Sequence, residues 1–362
     1  MLTKGSTLGV TQKKLADYLG ISRQLVGFAL NDHPGVSDQT RKRVLSAAKR
    51  MGYDAFANRD ARSLIAKRYG RRALTGIVAI LLPPKFEIPL RDIPNFSHTL
   101  DAMEREADRR GLDVLFCRSR NGQLPRMVES LYVDGVACIS ADSPVVRSIA
   151  RTGLPVLNVG RQTPGACWLS PDDKMGTVLT AQYLIELGHR SIAYLGHFTD
   201  VKNASERLAG FKKALKSAGL PLAPELIEAT VTEQVLEAGA AAMERLLARD
   251  AHYKKSGKPS FTALVAYNDL LGMGAVKYMK GRGIRVPEDV SVTGFDDVSN
   301  QYPFTPHLTS ISYSRAEMGT RAIALLNECN GEALEPSGQR LPVTLVVRES
   351  CRALPNYNLQ TV

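Results

Sequence analysis

The chain has 362 residues, 44% of them apolar and 23% charged, with a formal net charge of +11. That length is enough for two or three domains with sizeable cores, and the composition excludes wholesale disorder. No apolar run approaches the roughly 20 residues of a membrane span, and residues 1–30 carry no signal-peptide core.

In chain order, the charge comes first. Residues 1–72 hold fifteen Lys and Arg against five Asp, so +10 of the net +11 sits in the first fifth of the chain. Such a basic head on a near-neutral body suits a polyanionic partner. Three short helices fit within residues 11–52. Thr11 caps the first, which places Leu15, Ala16 and Leu19 on one face. Gly20 supplies a left-handed turn and Ile21 fills the corner. Ser22 caps the second helix, with Val26, Ala29 and Leu30 inward. After His33-Pro34-Gly35, Ser37 caps the third, with Val44, Leu45 and Ala48 at core spacing. Two helices joined by a short Gly turn, with a third in support, make the helix-turn-helix layout. The second helix carries Arg23, Gln24, Gly27 and Phe28 off its core stripe. Arg pairs bidentately with guanine, Gln with adenine, and Phe contacts a thymine methyl.

From Thr75 the pattern alternates. Apolar strand-like runs fall at 76–82, 112–117, 135–140, 155–159, 191–196, 261–267 and 289–295. Helical stretches between them include 96–110, 173–188, 203–219, 233–249 and 269–282. This is the signature of parallel sheets with helices on both faces, and its length argues for two lobes with a ligand cleft between them. Cys117, Cys138, Cys167, Cys329 and Cys351 lie far apart without a CxxC pair. That argues for reduced thiols in a cytoplasmic protein, and against a zinc site or disulfide framework.

The stretch from Val10 through Gly20-Ile21-Ser22-Arg23-Gln24 to Val26, followed by Leu30-Asn31-Asp32-His33-Pro34-Gly35-Val36-Ser37, resembles the DNA-binding head of LacI/GalR-type regulators. Gly27-Phe28 replaces the Ser-Arg common in that family. Asn58-Arg59-Asp60-Ala61-Arg62-Ser63-Leu64 resembles the family's hinge helix, with Ala57-Asn58 in place of Pro-Asn and two residues inserted. The resemblance implies a DNA-binding set of Thr11, Ser22, Arg23, Gln24, Gly27, Phe28, Asn31, Asn58, Arg62 and Leu64, with Leu64 as a minor-groove wedge.

The resemblance continues through Leu187-Gly188-His189-Arg190, Arg207-Leu208-Ala209-Gly210-Phe211, Asn268-Asp269-Leu270 and Val286-Pro287-Glu288-Asp289-Val290-Ser291-Val292-Thr293-Gly294-Phe295-Asp296-Asp297. It implies an α/β fold: a small all-helical helix-turn-helix domain (1–56), a hinge helix and linker (57–72), a two-lobed periplasmic-binding-protein-like domain (73–352) and a tail (353–362). It further implies a homodimer on a near-palindromic double-stranded DNA operator, without cofactor or membrane contact. Arg207, Asn268 and Asp296 follow helix starts and strand ends. An Arg fork, an amide and a carboxylate converging there suit a sugar-like effector. Phe96, Gln234 and Tyr313 match pocket-lining positions. Arg161 stands beside Gly160, where many family members have Asp, and so hints at an acidic or more extended ligand.

Other readings fare less well. No nucleophile–base pair, HExxH or Walker loop is present, and Lys277 occupies the third-glycine position after Gly272-Met273-Gly274, so no enzyme is expected. A transporter's sugar receptor predicts an export signal and no basic head. A nonspecific nucleoid protein leaves the body without a use. A sugar-controlled transcriptional repressor uses both parts.

Overall fold

The computed structural model describes residue 10 and residues 12–30, 35–51, 74–83, 94–119, 123–197, 202–231 and 235–354. The chain forms two compact units, Met1–Thr75 and Gly76–Val362.

The first unit contains α1 (Gln12–Leu19), α2 (Arg23–Leu30) and α3 (Asp38–Met51). Gly20 has φ +67°, which lets the Ile21 N–H reach back to the Ala16 carbonyl at 3.2 Å and close α1. Ser22 Oγ accepts the Leu25 N–H at 3.1 Å and so starts α2. Ser37 Oγ does the same for Thr40 at 3.3 Å. Leu15, Ala16, Leu19, Val26, Ala29, Val36, Val44, Ala47 and Ala48 form the buried core of this unit. Leu45, expected inside, is 48% exposed. One residue along a helix is a turn of about 100°, so Val44 shares its inward face with Ala47 and Ala48 and leaves Leu45 on the flank.

The second unit is built on two six-stranded sheets. In chain order its elements are β1 (Ile77–Leu82), α4 (Pro94–Arg109), β2 (Asp113–Arg118), α5 (Arg126–Glu129), β3 (Gly135–Ile139), α6 (Ser143–Ala150), β4 (Val156–Val159) and β5 (Cys167–Pro171). Then follow α7 (Asp173–Glu186), β6 (Ile192–His197), α8 (Lys202–Ser217), β7 (Ile227–Val231), α9 (Leu236–Arg249), α10 (Ala251–Ser256), β8 (Ala263–Ala266), α11 (Asp269–Gly281), β9 (Ser291–Phe295) and β10 (Thr309–Ser312). The chain closes with α12 (Arg315–Glu328), β11 (Gly338–Leu341) and β12 (Thr344–Val346). Strand order is β11-β5-β4-β3-β1-β2 in one sheet and β12-β10-β9-β8-β6-β7 in the other. All pairings are parallel except β10 with β12.

Alternate residues of β1 show why the inner strands read as continuous apolar runs. Val78 and Ile80 pack with Met103 and Ile323 on one face, while Ala79 and Leu81 pack with Val128 and Ile149 on the other. The second sheet is covered likewise, with Leu264 and Val292 in one cluster and Tyr194 and Val265 in another. Strands β5, β7, β10, β11 and β12 were not among the expected runs. They are three to five residues long and carry polar positions, as in Thr309-Ser310-Ile311-Ser312. The chain passes between the lobes three times, after β5, after β10 and after β11. Among the described residues no helix is long and apolar enough to cross a membrane.

Candidate functional site

The three crossings bring the loops at the C-terminal ends of the strands in both lobes towards one region, where open parallel sheets bind ligands. The first lobe contributes the loops after β3 and β4. Asn158, buried on β4, accepts the Ala141 N–H at 3.1 Å and donates to the Ala141 carbonyl at 3.0 Å and to Thr163 Oγ1 at 2.7 Å. One amide thus braces both loops. Arg161, on the second of them, donates to Asp142 and to the Ser140 carbonyl. The cation beside Gly160 is therefore already paired, which weakens the expectation of an acidic ligand drawn from it.

The second lobe contributes Arg207, one turn into α8 and 5% exposed. Its Nε donates to Asp173 Oδ1 at 2.8 Å and its Nη1 to the Tyr267 carbonyl at 2.6 Å. Nη2 lies 3.8 Å from Asp296 Oδ1. The guanidinium also lies over the rings of Phe295, at 3.6 Å, and Tyr267, at 4.4 Å. Burial works against its charge, but Asp173, Tyr267 and Asp296 outweigh it and raise its pKa, so Arg207 stays a cation. Burial also raises the Tyr267 phenol, to about 12.

Asp296 follows β9 with φ +98°, an unfavourable conformation for a non-glycine residue that persists where surrounding contacts impose it. Its N–H donates to the Ile311 carbonyl at 2.9 Å, and its Oδ1 accepts from Tyr313 Oη at 3.4 Å. Tyr313, at the second crossing, is only partly buried and packs on the first lobe's core, as does Phe96. Arg207, Asp296 and Tyr313 thus come together. Asn268 Oδ1 accepts the Leu271 N–H at 3.0 Å and caps α11. Thr11, Asn31, Asn58, Arg62, Leu64 and Gln234 lie outside the described residues.

Two carboxylates were given no role in the sequence reading. Asp173, wholly buried at the start of α7, accepts at Oδ2 from Gln162 Nε2 (3.0 Å), Ser170 Oγ (3.2 Å) and Asn203 Nδ2 (2.7 Å). Burial raises its pKa, against the pull of Arg207. Asp269 accepts the N–H groups of Val298 at 2.6 Å and Ser299 at 3.1 Å, and Ser310 Oγ at 2.6 Å, so it fixes the loop that carries Asp296. The only available signal was the acidic pair Asp172-Asp173 just before a helix, and a carboxylate beside the cap residue Asn268.

In the head, Ser22, Arg23 and Gln24 are exposed at the N-terminal end of α2. Gly27 faces α1, where an added Cβ would stand 3.7 Å from Gln12 Oε1. Phe28 is half-buried and packs on the core of the head. His189 is structural, since its ring bonds Thr262 Oγ1 at 2.9 Å and the Arg352 carbonyl at 3.2 Å.

Comparison with known proteins identifies the family. A family model described as a periplasmic binding protein-like domain matches residues 181–351. The HTH-type transcriptional regulator CelR of Thermobifida fusca is 30% identical, over 94% of this chain and 98% of its own length. The HTH-type transcriptional repressor PurR of Mannheimia succiniciproducens is 29% identical, over 88% and 91%. The solved structure of a CelR–cellobiose complex superposes with a TM-score of 0.65 at 29% identity, covering 94% of this chain and 99% of that one. The chain belongs to the LacI/GalR family of helix-turn-helix transcriptional regulators.

Proposed function

We propose that the protein is a cytoplasmic repressor that binds a near-palindromic operator as a homodimer and is switched by a sugar or sugar derivative held between the lobes. The observation that carries the effector reading is the convergence of Arg207, Asp296 and Tyr313 at the strand ends of the second lobe, beside the crossings to the first. The cellobiose held by the CelR relative supports a sugar. In this reading residues 1–56 dock in the major groove through Arg23 and Gln24, the hinge helix within residues 57–72 lies in the minor groove and the rest of that segment is linker, and residues 73–352 bind effector and pair the protomers. No enzymatic step is assigned. A sugar receptor without specific DNA recognition is the lesser reading, because it gives the exposed Arg23 and Gln24 no task.

Effector control requires a ligand that binds the two lobe arrangements with different affinity. The test is an operator-binding titration with a sugar panel, on wild type and on Arg207→Ala and Asp296→Ala. Expected is a sugar response in wild type that both variants lose while their ligand-free operator affinity holds. A full response in both variants would place the effector elsewhere.

A further inference from the structure

Two donor nitrogens of Arg207, Nε and Nη1, are already engaged within the protein. An arginine recognises a carboxylate or phosphate by presenting two parallel N–H donors along one edge. Here Nε is committed to Asp173 at 2.8 Å and Nη1 to the Tyr267 carbonyl at 2.6 Å, while Nη2 faces Asp296 at 3.8 Å. Phe295 and Tyr267 lie against the plane of the group. Asp173 is not free to swing aside, because Gln162, Ser170 and Asn203 hold its second oxygen and none of its surface is exposed.

Charge points the same way. The buried trio is one cation with two carboxylates, so with or without a proton on Asp173 it carries no net positive charge. Arg161 is likewise paired, with Asp142. Arg315, buried after the second crossing, lies 4.7 Å from the Tyr313 ring centre.

We propose that Asp173 is a specificity-determining residue of the effector cleft. It supplies from within the protein the carboxylate that Arg207 would otherwise take from a ligand, and so excludes sugars that present a carboxylate or phosphate to that wall. The carboxylate of Asp296, 3.8 Å from Nη2, adds a second negative charge at this wall, which suits the hydroxyls of an uncharged sugar better than an acid. The inference rests on the reading of this cleft as the effector site and adds its charge class.

The experiment compares wild type with Asp173→Asn by calorimetric titration of the full chain. The probes are two matched pairs, glucose with glucuronate and cellobiose with its C6-oxidised uronate. Expected is that wild type binds the neutral member of a pair at least about tenfold more tightly, and that Asp173→Asn shifts the ratio at least about tenfold towards the acid. An equal ratio in both proteins, or a wild type that favours the acid, overturns the proposal. Should Asp173→Asn not fold, the wild-type ratio alone decides. Should neither pair bind, inorganic phosphate in thermal unfolding tests Asp173 by itself, and the sugar reading is decided by the operator titration with the sugar panel. A larger stabilisation of Asp173→Asn than of wild type supports the proposal, and an equal response overturns it.

Discussion

Asn203, on a helix of the second lobe, accepts the backbone N–H of Gln162, in a loop of the first lobe, at 3.0 Å. Its amide nitrogen donates to the Gly160 carbonyl at 3.3 Å, Ser170 Oγ at 3.1 Å and Asp173 Oδ2 at 2.7 Å. One buried amide thus joins the lobes beside Arg207, and any change in lobe angle has to pivot on it or break it.

Truncating this side chain should leave the Gln162 N–H buried without a partner. Asn203→Ala is expected to lower unfolding stability by about 1–3 kcal/mol, the usual cost of an orphaned buried group. Urea denaturation followed by the fluorescence of Trp168, the only tryptophan, measures this. A loss below about 0.5 kcal/mol would mean that the lobes do not depend on the tie.

Asp269 gives a pH signature. Burial outweighs its three hydrogen bonds and pushes its carboxyl up from 3.8 to about 7. The folded chain therefore keeps a proton there that the unfolded chain has lost. This contribution is full below about pH 4 and disappears as the pH rises through about 7, with a slope of at most about 1.4 kcal/mol per pH unit. Stability measured from pH 5 to 8 should show this fall in wild type, and Asp269→Asn should flatten it. Identical slopes would mean that Asp269 is already ionised at pH 5.

Gly274 on α11 lies against α9. A Cβ there would stand 2.0 Å from the Leu236 carbonyl oxygen and 2.8 Å from the Ala240 nitrogen. Gly274→Ala has to push the two helices apart and is expected to cost about 1–3 kcal/mol or more. Gly281, exposed at the end of the same helix with open space around it, is the control. Gly281→Ala should be neutral or stabilise by up to about 1 kcal/mol, since alanine is the better helix former. Matching thermal unfolding temperatures for the two variants would refute the close approach.

On the DNA side, Arg23→Ala and Gln24→Ala should each relax the preference for one base in both half-sites, at a cost of about 1–3 kcal/mol in operator affinity. Nonspecific binding should change little. A uniform loss on all sequences would reassign them to phosphate contacts.

Much of this was legible in the sequence, for identifiable reasons. β1, β3, β4, β8 and β9 are inner parallel strands covered on both faces, so they read as unbroken apolar runs. Thr344-Leu345-Val346 and Gly338-Gln339-Arg340-Leu341 are short edge strands with exposed positions, and nothing in their periodicity announces them. Arg207 and Asp296 were marked by the family motifs and by their positions after strands, and Tyr313 by the family resemblance alone. Asp173 escaped notice because an aspartate at a helix start reads as an acidic first-turn residue that favours the helix dipole. Its partner Arg207 lies 34 residues away, and only the tertiary fold joins them. The same holds for Gly272-Met273-Gly274, which looked like part of a phosphate-binding motif and instead lets helices and a strand pack closely, with Leu308 beside Gly272.

The decisive measurement is selection of binding sites from random duplex DNA by the full-length protein at about 150 mM salt, followed by titration of the enriched site with sugars. Expected is a two-fold symmetric site whose affinity shifts with one uncharged sugar. Enrichment no better than nonspecific background, or a selected site that no sugar affects, would contradict a sugar-controlled repressor.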